Sequence, residues 1–273
     1  MKIVYISGTE VGIEIYKAIY EAGFEVDTIF TYKLDKKNIS GFFDYKKINK
    51  NSKIIRVNHI NEEYETIKKI NPDLIIVGGW QQLLSQEIID IAKFGAIGFH
   101  SSLLPKYRGR APVNWAIIMG ERKTGITMFY LSADADDGDI IAQKEVEILF
   151  NDDCNSVYKK CAIAGAELIK NNLSLIAKNK APRIHNEAKS YPTYPKRTPA
   201  DGEIDFNRNS LDIYNFIRAL TKPYPGAWTY KNGKKIIIWR AEIVMDESRL
   251  EKNDLVFNTK DFKIRAIEWK YLQ

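Results

Sequence analysis

Apolar residues in the first half of the chain fall into short β-branched runs separated by stretches with helical spacing. The runs cover residues 2–7, 25–32, 53–58 and 73–77, and the helical stretches residues 12–22 and 61–70, a pattern that predicts successive βαβ units. Leu74-Ile75-Ile76-Val77 and Ala96-Ile97-Gly98-Phe99 read as strands of a parallel sheet, which are apolar throughout because both faces are covered. Asn61 and Ser85 stand where helix caps are expected. The expectation is an α/β fold, a twisted and mostly parallel sheet flanked by helices. Residues 35–50, polar and rich in Lys and Asn, read as a surface excursion.

Further along, two strands are expected at 124–132 and 139–148, flanking an Asp-rich turn, with a helix over 152–179. Residues 181–202 carry Pro182, Pro192, Pro195 and Pro199 among scattered aromatics and mark a linker. The chain is thereby divided into a domain of residues 1–180, the linker, and a small α+β domain of residues 203–273. In the last, residues 210–220 read as a helix capped by Ser210, and Asn232-Gly233 between two β runs is a strong hairpin signal.

Composition narrows the class. With 45% apolar and 28% charged residues in 273 the chain is an ordinary globular protein, neither disordered nor fibrous. No apolar run approaches the ~18 residues of a spanning helix, and Met1–Ser7 enters a strand pattern directly where a signal peptide would carry its apolar segment, so a cytoplasmic protein without membrane association is expected. Cys154 and Cys161 are spaced two helical turns apart, too far for an easy disulfide, and read as small buried apolar residues. The net charge of +6 comes from 41 basic residues interleaved with 35 acidic ones, with no like-charge block. A groove for a phosphate-bearing small molecule explains the excess as well as RNA does.

Candidate chemistry begins at His100, one of three histidines. It ends an apolar strand and opens a polar, basic loop running to Arg110, where an imidazole can handle a proton or orient an acyl oxygen. The turn 134–139 holds four carboxylates, Asp134, Asp136, Asp137 and Asp139. It reads as a solvated turn, as a divalent-metal loop without the EF-hand spacing, or as the source of a carboxylate for His100. The third reading assumes two loops leaving neighbouring strands at the same carboxyl edge. A carboxylate there would fix the imidazole and suit charge stabilisation in acyl transfer.

The block from His100 to Trp115, Thr124-Gly125-Ile126-Thr127 and Asp136-Asp137-Gly138 resembles the signature of the N10-formyltetrahydrofolate-dependent formyltransferases. These include methionyl-tRNA formyltransferase, glycinamide ribonucleotide transformylase and the nucleotide-sugar N-formyltransferases. Residues 197–202 and 217–227 resemble the C-terminal part of the sugar-modifying members. The resemblance implies a Rossmann-like catalytic domain, N10-formyltetrahydrofolate as formyl donor, and attack of a primary amine on the formyl carbon through a tetrahedral intermediate. It requires neither a metal nor a covalent enzyme intermediate.

Carried onto this chain, the resemblance makes His100 and Asp136 the catalytic pair, with Gly98 at the position of the family's Asn. That Asn donates to the formyl oxygen, and loss of one such donor costs about 10²–10³ in rate. Ser101, Ser102 and Gln82 are the neighbours that could substitute. The folate is expected at the loop 78–84, on Gly79, Trp80, Gln81, Gln82, Leu83 and Leu84, with Asp134 nearby. Gly8 and Thr9, which open a helix after the first strand, could hold phosphate. Lys106, Arg108 and Arg110 are the expected neutralisers of a diphosphate, and Ser102, Asn114, Trp115 and Tyr224 the expected contacts to sugar or base, with Trp228 a further stacking surface. The favoured acceptor is a UDP- or dTDP-linked amino sugar. Methionyl-tRNA, whose formyltransferase carries a fuller C-terminal barrel, is the alternative, as is a formylfolate hydrolase or folate-binding protein on account of Gly98. A homodimer is a possible assembly.

Overall fold

The computed structural model describes residues 1–36, 39, 41–49 and 51–272. Its main sheet is built from β1 (Ile3–Ile6), β2 (Val26–Tyr32), β3 (Lys53–Val57), β4 (Leu74–Val77) and β5 (Ala96–His100), followed, after a two-residue β6 (Arg108–Gly109), by β7 (Lys123–Tyr130) and β8 (Ile140–Glu147). The strand order is β3-β2-β1-β4-β5-β7-β8. β1 to β5 run parallel, and β7 is antiparallel to β5, with Ile97 opposite Tyr130 and His100 opposite Thr127. The helices are α1 (Val11–Glu21), α2 (Tyr64–Ile70), α3 (Gln86–Ile89), α4 (Pro112–Ile118), α5 (Cys154–Ala177) and α6 (Ser210–Ala219).

Both faces of the sheet are covered, as the unbroken apolar strands require. On one face Val4, Ile6, Phe30 and Ile75 pack with Ile67 of α2 and with Ile88 and Ile89 of α3. On the other, Tyr5 meets Tyr16 of α1 with ring centroids 5.6 Å apart. There α5 comes close enough at Gly165 that a Cβ would stand 2.9 Å from Ile126.

The chain forms two compact units interleaved in sequence. One comprises Met1–Gly109, Gly125–Val146 and Tyr158–Thr193, the other Arg110–Thr124, Glu147–Val157 and Tyr194–Gln273. After the short β9 (Thr193–Tyr194), the second unit contains β10 (Ala227–Lys231), β11 (Lys234–Val244), β12 (Val256–Asn258) and β13 (Lys263–Tyr271), an antiparallel sheet in the order β10-β11-β13-β12. Ile213, Ile217 and Leu220 of α6 pack on Ile236, Ile238 and Ile264 of that sheet. Asn232 and Gly233, both at positive φ, make the tight turn between β10 and β11, as their residue types demand.

Several expectations are corrected. The excursion 35–50, of which residues 37, 38, 40 and 50 lie outside the described residues, is not wholly a surface feature. Tyr45 is completely buried, its hydroxyl bonded to Ser7 at 2.6 Å and to the Thr9 carbonyl at 3.1 Å. Burial pushes the Tyr45 and Tyr5 phenols up from their ordinary range, so both act as neutral hydrogen-bonding groups. Asn61 does not cap α2, whose N-cap is Glu63; its amide instead bridges to Leu83 O and Ser85 N. Asn209, not Ser210, caps α6, and the Ser210 N–H is taken by Asp261 at 2.7 Å. No helix among the described residues is long and apolar enough to cross a membrane.

Cys154 and Cys161 are both free and buried. Burial pushes the Cys154 thiol up, and that of Cys161 up to about 12. Neither is therefore expected to react with a disulfide reagent near neutral pH in the native protein, and both should react once urea unfolds it. Ile97, fully buried in the middle of β5, sets the scale for the core beneath the site. Ile97→Ala is expected to cost about 2–5 kcal/mol, read from the shift of the urea transition.

Candidate active site

His100 is the last residue of β5 and is 8% exposed. Its Nδ1 stands 3.3 Å from Asp136 Oδ1, and its Nε2 lies 2.8 Å from the Tyr107 carbonyl. Both ring nitrogens thus face oxygen atoms, a carboxylate on one side and a backbone carbonyl on the other. The pair does not arise as the sequence reading assumed. Because β7 is antiparallel, it ends beside Ile97 rather than beside His100, and the turn that carries Asp136 must fold back to reach the histidine. Gly138 makes that return possible, since a Cβ there would lie 1.8 Å from the Tyr130 carbonyl oxygen. Asp136 takes a left-handed φ of 54°, and its Oδ2 accepts the Gly109 N–H at 2.8 Å.

The loop after His100 is pinned by residues that the sequence reading had not assigned. Thr127 on β7 donates to Ser102 O at 2.7 Å and accepts from Leu104 N at 3.0 Å. Gln143 on β8 donates to Leu104 O at 2.7 Å. Asn186, beyond α5, donates to the carbonyls of Asp136 and Gly138. Thr127 lay inside the recognised motif, whereas Gln143 and Asn186 carry no local signal, since polar residues are ordinary on an edge strand and in a Pro-rich stretch.

Gly98 sits between Val77 of β4 and Phe129 of β7. A Cβ at Gly98 would lie 2.6 Å from Leu131 Cδ2, so Leu131 fills the space that a side chain at 98 would use. Two of the three neighbours proposed to replace the missing amide are committed elsewhere. Gln82 donates to Asn58 O and accepts from Ile60 N, and Ser102 donates to Lys106 O at 2.6 Å. Ser101 is buried.

In the loop 78–84, Gly79 has a φ of 67°, and a Cβ there would lie 2.3 Å from Thr9 Oγ1. Trp80 stacks on Tyr32 with centroids 3.8 Å apart, and its indole N–H is buried with no hydrogen-bond partner among the described residues. The Gln81 N–H donates to the Tyr32 hydroxyl at 3.0 Å. Leu83 is exposed, while Leu84 joins the core with Ile88. Asp134 is exposed.

At the turn after β1 the aromatic ring of Tyr32 covers Gly8, and Thr9 donates to Gly79 O at 2.9 Å. The N–H groups of Gly8, Glu10, Gly12 and Ile13 donate to the carbonyls of Gly79, Gly41, Thr9 and Glu10. Lys106 is exposed. The Arg108 guanidinium donates to Ala188 O at 2.6 Å and to Ala135 O at 2.8 Å, a brace rather than a free fork. Arg110, Asn114, Trp115 and Tyr224 belong to the second unit. There Arg110 is exposed, Asn114 is buried and donates to Ala219 O at the end of α6, Trp115 donates to Pro195 O, and Tyr224 is half-buried, as is Trp228, whose indole donates to Pro199 O. Among the described residues no group of three or more His, Cys, Asp or Glu is arranged to hold a metal ion.

Residues 2–173 match the family model described as "Formyl transferase", and residues 196–266 match "Formyl transferase, C-terminal domain". The chain belongs to the formyl transferase family. It is 33% identical over 285 aligned positions to the bifunctional polymyxin resistance protein ArnA of Wigglesworthia glossinidia brevipalpis, an alignment that covers 100% of this chain and 43% of that relative. The chain thus spans less than half the length of that protein. It is 34% identical over 253 positions to the methionyl-tRNA formyltransferase of Caldanaerobacter subterraneus subsp. tengcongensis, covering 89% of this chain and 81% of the relative. Among solved structures, the N-formyltransferase from Helicobacter canadensis, in complex with folinic acid and dTDP-3-aminofucose, superposes with a TM-score of 0.73 at 21% identity. That match covers 97% of this chain and 98% of the other, and shares the fold.

The packing at Gly98 in this formyl transferase is testable without any substrate. Gly98→Asn is expected to destabilise the protein by about 1–3 kcal/mol through overpacking, measured by urea denaturation. The same substitution should cost less in a Leu131→Ala background. Equal costs in the two backgrounds would show that Leu131 is not the obstacle.

Proposed function

We propose that this formyl transferase carries a formyl group from N10-formyltetrahydrofolate to the amine of a nucleotide-linked amino sugar, UDP- or dTDP-bound, in the cytoplasm, for surface glycan synthesis. The observation that carries the reading is the pairing of His100 with Asp136 at 3.3 Å, at a strand end, in a chain whose two parts both match the family. For the acceptor, support comes from the end-to-end match to the Helicobacter canadensis enzyme, whose structure holds a dTDP-linked amino sugar.

The loop 78–84 fits a folate in chemistry. It has the indole N–H of Trp80, buried with no hydrogen-bond partner among the described residues, the backbone carbonyls of Gln81 and Gln82, and the exposed apolar side chain of Leu83, a largely apolar wall with a few fixed polar groups. When bound, the folate supplies an electrophilic formyl carbon on N10. His100 then serves the formyl oxygen through Nε2, releasing the Tyr107 carbonyl, while Asp136 holds the ring in orientation and stabilises its protonated form. The folate would leave with its bond to the formyl carbon broken and with the proton that the amine loses on N10, while the amine nitrogen would keep the formyl group. With Gly98 in place of an amide donor, His100 carries more of the oxyanion than it would beside an Asn.

Formylation of methionyl-tRNA is the second reading, supported by the 34% identity to the Caldanaerobacter enzyme. The two are separated by melting the protein with tetrahydrofolate and with UDP, dTDP or tRNA added singly and in pairs, since a ligand that prefers the native state must raise the melting temperature. Folate together with UDP or dTDP is expected to stabilise it; a response to tRNA alone among the acceptors would replace the sugar reading, and no response to folate would end the formyl-transfer reading. In the matching formyl-transfer assay His100→Ala is expected to lower kcat by about 10²–10⁴, with little change in melting temperature.

A further inference from the structure

We propose that Asn186 is a positioning residue for the His100–Asp136 pair, acting from a segment outside both loops of the site. The left-handed backbone of Asp136 costs any residue with a Cβ, though Asp less than most, and persists where the surroundings hold it. The ties on this turn can be traced group by group. The Ala135 carbonyl is held by Arg108, the Asp136 carboxylate by the Gly109 N–H, and the carbonyls of Asp136 and Gly138 by the Asn186 amide at 3.0 and 3.3 Å. A single Nδ2 thus spans both sides of residue 137 and, with Arg108 on the Ala135 carbonyl, fixes the two peptide planes that flank the Asp136 Cα.

Asn186 is built for this task. It is 3% exposed, and facing two carbonyls settles which end of its amide carries the hydrogens. Its Oδ1 is buried with no hydrogen-bond partner among the described residues, so the side chain holds its place through the donors alone. The segment on either side is anchored. Ile184 exchanges both backbone hydrogen bonds with Ile140, at 2.8 and 2.9 Å, and the carbonyl of the fully buried Ala188 accepts from Arg108. Asn186 lies midway between these anchors, so its amide cannot drift without breaking one of them.

The kinetic arm of the test rests on the formyl-transfer reading; the exchange arm does not. Asn186→Ala should lower kcat by about 10- to 100-fold, the range expected when a reacting group is displaced by about 1 Å, with KM for donor and acceptor changed less than about threefold. In an Asp136→Asn background the same substitution should add less than about threefold, because the pair it serves is already broken. Independently, hydrogen exchange of the Gly109 amide, which donates to Asp136 Oδ2, should accelerate in Asn186→Ala as it does in Asp136→Ala. Asn186→Ser, which keeps one donor, should recover part of the protection and supplies a second variant should Asn186→Ala fold poorly. Unchanged kcat, losses that multiply in the double variant, or an unchanged Gly109 amide would overturn the proposal. A parent protein without formyl-transfer activity would remove the kinetic arm and leave the exchange result to decide.

Discussion

The candidate site depends on one topological constraint: β7 enters the sheet antiparallel to β5. A parallel strand would have delivered its following loop to the His100 edge directly. The antiparallel one delivers it to the wrong edge, and the chain must return. Gly138, packed against the Tyr130 carbonyl, and Asp136, in a left-handed conformation, are the local means of that return. Arg108, Gly109 and Asn186 then hold the returned turn in place. A carboxylate beside an imidazole is common chemistry; here the greater structural effort goes into keeping the carboxylate there.

The parts of this structure that were legible in the sequence are those where residue type and local geometry are bound together. The β-branched runs became central strands because only side chains apolar on both faces survive between two helical layers, and Asn232-Gly233 became a turn because both positions need positive φ. His100 and Asp136 could be named from their types and surroundings. How they meet could not, since strand direction is a property of pairing partners far apart in the chain. The same holds for Tyr45, whose polar neighbours disguise a residue buried against Ser7 and Thr9, and for Gln82, whose amide is spent on Asn58 and Ile60. Asn186 carries no signal of its own, because a short polar residue near prolines is what a loop ordinarily contains.

Gly98 illustrates a different relation between sequence and structure. Seen as a letter, it is a missing donor. In the fold it is a position where the next layer has moved in, with Leu131 lying over the backbone where a side chain would start. Apolar packing thus occupies the space beside β5 two residues before His100. His100 itself is 8% exposed, and a hydrogen bond away from water has greater electrostatic influence than one in it.

The ties to Asp136 also bear on what counts as a domain in this chain. The N-terminal family match closes at residue 173, part-way along α5, yet Ile184, Asn186 and Ala188 reach back to β8, to the 136–138 turn and to Arg108. The compact unit accordingly runs on to Thr193. A fragment cut at the limit of sequence likeness would keep every strand of the main sheet, His100 and all four carboxylates of the turn. It would still lack the splint that sets one of those carboxylates against the ring. Inheritance and mechanical integrity therefore end at different residues in this molecule.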